Sequence, residues 1–213
     1  MATRAFRFVF DAWESLFHKM FHLEEIEPGV EHLFFIAKRR YFGRPFVVED
    51  VTVKSGDIVI ELHMNNSVVE RVLTKDENIV RAMVQLIRQA RESMPVLAKA
   101  IEHEKYERAA ALYGITFIHR GIDRFGFHTL PISDGVSKRI TTWHLRNVLR
   151  ILNPHANDIF STHADVLEPK LVVASKRQII ELFRPVVGGQ TLQDPTVPLD
   201  GSVNTREQYR IQS

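Results

Sequence analysis

The chain is 213 residues long, 45% apolar, free of cysteine, and carries a formal net charge of +2. That length suits one good-sized domain. The missing thiols exclude disulfides and thiolate metal sites and leave His, Asp and Glu as metal donors. The weak charge gives no support to a nucleic-acid role, and no apolar run approaches the roughly eighteen residues a membrane span requires. The expectation is a soluble, cytoplasmic protein with no transmembrane segment, no metal and no cofactor.

In chain order, Phe6, Val9, Phe10, Trp13, Leu16, Phe17, Met20 and Phe21 recur at helical spacing and predict a helix over 4–22. Asp11, Glu14, His18 and Lys19 interrupt the continuous apolar core that a signal peptide needs. The aromatic stripe fits a membrane surface or a partner, or simply packing on the domain's own sheet.

Residues 31–41 are apolar and then basic, 42–48 follow a turn signal at Gly43, and 51–54 lead to a turn at Ser55, Gly56 and Asp57. Ile58, Ile60 and Leu62 then alternate with Val59, Glu61 and His63, the period of a strand. Together these predict a three-stranded antiparallel meander. Lys38, Arg39, Arg40 and Arg44 form either an anion site or the charged edge that protects a sheet from aggregation. Where the last strand ends, His63, Asn65 and Asn66 offer an imidazole and two amides to a ligand. His63 is also the candidate general base, because imidazole titrates near neutrality. The plainer alternative makes the two asparagines turn residues and Ser67 the cap of a short helix.

Thr74 and Glu77 have capping-box spacing. The apolar stripe that follows, from Ile79 to Ile101, predicts a long packing helix that Pro95 bends or splits. The stretch 109–132 reads as the centre of the molecule. Ile115, Ile118, Ile122 and Phe125 fall on one face of a helix, and Gly126 is suited to the left-handed residue that ends it. A short strand over 127–132 follows.

Thr116, His119, Arg120, Asp123 and Arg124 sit between those apolar positions as a candidate ligand-binding set. The two arginines, held by Asp123, either grip a carboxylate or phosphate or bond buried acceptors and fix the helix to the sheet. Gly121 inside a helix is costly and points to a close approach. A metal site of His63, His119 and Asp123 is possible by arithmetic, but nothing in the spacing brings the three together. Residues 138–153 predict an amphipathic helix whose outer face is the most basic in the chain. Lys170 to Ala174 predict a last strand, and Ser175 caps a short helix ending near Phe183. The domain is set at 1–187, with 188–213 a polar, disordered tail.

One pattern is specific. ELHMNN, then SMPVLA, then YGITFIHRGIDRFGFHTLPI occur in that order. Gly114, Ile115, Thr116, Arg120, Gly121, Asp123, Arg124, Gly126 and Phe127 match the densest part of the motif of the YkoP-like domain, which the chain resembles over about 6–183. The resemblance implies a bacterial domain of unassigned activity, found alone or fused to polysaccharide deacetylase domains. It implies a ligand-binding or accessory role in cell-envelope polysaccharide metabolism, with an anionic or sugar-containing ligand and a polysaccharide deacetylase as functional partner. Deacetylation itself is not implied, since no motif supplies the Asp-and-two-His metal site that such an enzyme uses.

The expected architecture is α+β in a single domain, with a small, mostly antiparallel sheet packed with about six helices. The alternative to a binding domain is a group-transfer enzyme acting on a glycan or lipid precursor, with His63 as base and Arg120 and Arg124 stabilising a developing anion.

Overall fold

The computed structural model describes residues 21–75, 79–116, 119, 121–132 and 169–184. The predicted N-terminal helix, the basic helix over 138–153 and the polar tail lie outside the described residues. The described strands are β1 Glu24–Glu25, β2 Phe34–Arg40, β3 Phe46–Val48, β4 Val51–Val53, β5 Ile58–Met64, β6 Ala111–Thr116, β7 His128–Leu130 and β8 Lys170–Ser175. The helices are α1 Asn66–Lys75, α2 Ile79–Ile101 and α3 Lys176–Phe183, with 3-10 turns at Glu104–Tyr106 and Asp123–Phe125.

Six strands form one sheet in the order β1-β2-β5-β6-β8-β7, and β3 and β4 form a separate hairpin. The sheet is mixed. Its neighbours are antiparallel except β5 and β6, which run parallel with Ile60 opposite Leu112 and Glu61 opposite Tyr113. Parallel neighbours require a long crossover, and α1 and α2 supply it. The expectation of about six helices around a mostly antiparallel sheet is therefore corrected: the described residues form three α-helices and a mixed sheet.

Two local readings change with it. The meander is not formed, because β2 pairs directly with β5 over seven residues, from Phe34 opposite Met64 to Arg40 opposite Ile58. The β3–β4 hairpin is an insertion between them. The helix expected through Ile115 is replaced by β6, whose six residues pair with β8 from Ala111 opposite Ser175 to Thr116 opposite Lys170. A ladder of that length outweighs a helical period that four apolar residues match by chance, and β-branched Ile115 and Thr116 suit a pleated surface. Gly126 still ends a helical turn as expected. It has φ 77° and closes the 3-10 turn Asp123–Phe125.

Strand alternation assigns the sheet's two faces. On the first, Ile36, Ile60, Leu112, Val172 and Ala174 pack against Leu86, Met94, Leu97 and Ile101 of α2 and Ile179 of α3. Complete burial of one such side chain contributes roughly 1.5–3 kcal/mol. α2 runs unbroken through Pro95, and Ser93 ties it to the chain entering β2 by accepting the Leu33 amide at 3.2 Å. On the second face, Val59, Ala111 and Val173 pack with Tyr41, which follows β2, and with Phe46, Val48 and Val53 of the inserted hairpin. Ser175 caps α3 as expected, its hydroxyl accepting the Gln178 amide at 3.0 Å.

Candidate functional site

Between α2 and the first face lies a small apolar cleft that opens to solvent. Phe34, Leu62 and Met64 form part of its floor, Ile87, Ala90 and Met94 of α2 its roof, and Ile122, Phe125 and Phe127 one end. Gly114 and Thr116 also line it. A Cβ at Gly114 would fall 2.7 Å from the Leu62 carbonyl oxygen, so glycine is what lets the two strands lie this close beneath the cavity. Thr116 contributes the hydroxyl, which donates to the Met64 sulfur at 3.5 Å, a weak bond. A lining this apolar is suited to hydrocarbon and has little with which to orient a sugar.

The motif residues that follow β6 are not gathered into one set. Ile122 and Phe125 face the cavity, whereas Asp123 and Arg124 are exposed, and His119 is half-buried. Arg120 lies outside the described residues. Gly121 has φ 77°, and what comes close to it is the Arg124 guanidinium, 3.0 Å from where a Cβ would stand. The close approach expected at this glycine is thus made by the chain's own arginine.

His63 points the other way. Leu62 and Met64 line the cavity, so alternation on β5 places Glu61 and His63 on the second face. There the Glu61 carboxylate lies 3.1 Å from Arg39 Nε and 3.4 Å from His63 Nε2. Arg39 also donates to the Phe21 carbonyl and lies over the Phe21 ring at 5.6 Å. Burial pushes the Glu61 carboxyl up, but hydrogen bonds and charge from His63 and then Arg39 outweigh it and hold the group below the ordinary carboxylate range. Burial first, and then the Glu61 charge, keep the Tyr113 phenol well above its usual range and therefore neutral. Arg39, Glu61, His63 and Tyr113 form a half-buried polar cluster separated from the cavity by the thickness of the sheet.

The sequence offers one signal for that cluster, the i, i+2 spacing of Glu61 and His63 on a strand. Arg39 and Tyr113 join it only through the register. Asn65, which leaves β5, is 6% exposed. Its Nδ2 donates to the His32 carbonyl at 3.1 Å, and its Oδ1 accepts the Ser67 amide at 3.0 Å and the Val68 amide at 3.4 Å. It is the cap of α1, and Ser67 is exposed at the helix start with Asn66 half-buried beside it. Thr74 bonds backward within α1, donating to the Glu70 carbonyl at 2.8 Å. Among the described residues no group of three His, Cys, Asp or Glu side chains is placed to hold a metal.

The distribution of the motif along β6 and the turn after it accords with the comparison of whole sequences. The family model of the YkoP domain matches residues 3–183. The chain belongs to the YkoP domain family. It is 28% identical over 110 residues to the protein named "Uncharacterized protein YkoP" from Bacillus subtilis (strain 168), an alignment covering 51% of this chain and 60% of that one. No solved structure matches it. The fold described above is therefore a view of the YkoP domain in which Gly114, Thr116, Ile122, Phe125 and Phe127 contribute to the cavity wall, and the exposed Asp123 and Arg124 of the motif stand outside it. Among the described residues no helix is long and apolar enough to cross a membrane.

Proposed function

We propose that this YkoP domain is a ligand-binding accessory domain of cell-envelope polysaccharide metabolism that holds the hydrocarbon part of a lipid-linked sugar. The observation that carries the reading is the apolar cavity beneath α2, with the Thr116 hydroxyl as its modest polar contact. Sugar and charged groups of such a ligand would stay outside, on the side of the motif where Asp123 and Arg124 are exposed. The link to envelope glycans, and to a polysaccharide deacetylase as functional partner, rests on the domain company that the motif's resemblance implies.

A thermal-shift series with alkyl glycosides of increasing chain length, set against the matching free sugars, tests it. A ligand specific for the folded state raises the melting temperature. The expected result is a shift that grows with alkyl length, is absent with free sugars, and is lost in Ala90→Phe, which fills the roof. A shift from free sugars alone, or one that survives Ala90→Phe, overturns the reading.

The second reading, group transfer with His63 as base, is favoured by the Glu61 carboxylate beside its Nε2, which would orient the ring. Of the partners first expected for it, Arg124 is exposed at the turn after β6 and Arg120 lies outside the described residues; Arg39 and Tyr113 are the residues that share the second face with His63. Turnover of an activated glycan precursor that His63→Gln abolishes, with the alkyl-glycoside shift unchanged, is the result that would favour this reading.

A further inference from the structure

At 79% exposure Phe42 is the most exposed large apolar side chain among the described residues. The turn that carries it is firmly built. The Tyr41 amide donates to the Asp57 carbonyl at 2.8 Å, and the Gly56 amide donates to the Tyr41 carbonyl at 2.7 Å. The Tyr41 hydroxyl reaches across to donate to the Arg44 carbonyl at 2.7 Å, and its ring meets Phe46 and Tyr113 edge-on at 5.2 Å and 5.6 Å. Gly43 passes over that hydroxyl so closely that a Cβ would fall 2.3 Å from its oxygen. A brace of this kind holds the neighbouring phenylalanine out in water, where burial gives it no folding energy.

The charge around this tip is one-sided. Lys38, Arg40, Arg44 and Lys54 are all exposed, and Arg40 is drawn onto the turn by donating to the Gly56 carbonyl at 3.2 Å. Within the segments 38–45 and 54–57 that build the tip the one carboxylate is Asp57, which accepts the Lys54 amide at 2.7 Å. The hairpin's other acids, Glu49 and Asp50, lie at its far turn and are engaged by His128 and Arg177, each at 2.9 Å. Val47, 64% exposed on the hairpin's outer side, adds apolar surface.

From a fixed aromatic tip ringed by bases we infer that the Tyr41–Arg44 turn is an attachment point for an anionic lipid surface. Phe42 enters the boundary between headgroups and acyl chains, and Arg40, Arg44, Lys38 and Lys54 meet the phosphates. A nucleic acid or an acidic protein would use the same bases, but neither offers the ring a hydrocarbon layer. The inference is independent of what fills the cavity.

Co-sedimentation of the full chain with vesicles tests it, comparing phosphatidylcholine with and without phosphatidylglycerol. The expected result is binding to the anionic vesicles alone, weakened by added salt. Arg40→Gln and Arg44→Gln should each weaken it about fivefold, and Phe42→Ser about tenfold or more. Because Phe42 is so exposed, Phe42→Ser should leave the melting temperature unchanged. Phe42→Trp gives a second readout, with a blue-shifted indole emission on anionic vesicles. Failure to bind, binding that Phe42→Ser leaves intact, an emission from Phe42→Trp that vesicles do not shift, or equal competition by a soluble polyanion would each overturn the assignment.

Discussion

Gly114 and Leu62 stand back to back across the parallel pair at the sheet's centre, with no space for a side chain between them: a Cβ at Gly114 would lie 2.7 Å from the Leu62 carbonyl oxygen. That oxygen belongs to backbone and cannot swing aside as the end of a long side chain would. Gly114→Ala should therefore push β5 and β6 apart at the cavity floor and destabilise the protein by about 2–3 kcal/mol. Urea denaturation checks this. The same variant should show reduced alkyl-glycoside binding even at temperatures where it is fully folded.

Glu61 makes acid sensitivity a second expected property. Burial raises its carboxyl, but His63 and Arg39 outweigh that effect, so the folded-state pKa lies below the ordinary glutamate value of 4.5. A depressed carboxyl contributes stability that is fully present above the unfolded-state pKa and is lost as pH falls through the folded-state value. Glu61→Gln should cost about 1–3 kcal/mol near neutrality, and the gap from the parent should narrow progressively below pH 4.5. Parallel melting curves from neutral pH into that range check the sign. A gap that widens on acidification contradicts it.

How much of this is legible in the sequence follows from where each determinant lies. β5, α2, β8 and the cap of α3 are readable because their signals are local: alternation at Ile58 to His63, an apolar stripe through α2, and a serine before Lys176. The pairing of β2 with β5 is not, since the intervening hairpin looks like one more strand of a meander until the register is known. β6 reads as helix because Ile115, Ile118, Ile122 and Phe125 satisfy a 3.6-residue period. Its true partner, β8, lies more than fifty residues further on, beyond the reach of local periodicity. At the candidate site, Thr116 stands out in the sequence as a polar residue among apolar ones, whereas the hydrocarbon lining contributed by α2 looks like ordinary core. The neighbours of His63 are hidden, because Arg39 and Tyr113 come to it across the sheet.

Tyr41 links the hairpin to the sheet and to the exposed tip at once. Tyr41→Phe removes the hydroxyl that donates to the Arg44 carbonyl while keeping both aromatic contacts. The expected loss is about 1 kcal/mol, the net worth of one neutral hydrogen bond. Affinity for anionic vesicles should fall as well, although Phe42 is untouched, because a loosened turn must be ordered again on binding. Denaturation and vesicle sedimentation on the same preparation check both parts. Unchanged stability would show that the hydroxyl is no brace.

Asn65 and Ser67 provide the sharpest contrast, because capping preferences alone allow either to start α1. In the structure Asn65 uses both ends of its amide. Oδ1 takes two helix N–H groups and Nδ2 donates to the His32 carbonyl, which ties the helix start to the segment entering β2. Ser67 is exposed. Asn65→Ala should therefore cost about 2–3 kcal/mol, combining a lost cap with a buried carbonyl left unpaired, while Ser67→Ala should be within about 0.5 kcal/mol of the parent. Asn65→Asp separates the two contributions, since a carboxylate keeps the cap but cannot donate to His32. It should fall between the other variants in melting temperature, and equal losses in Asn65→Ala and Ser67→Ala would return the cap to Ser67.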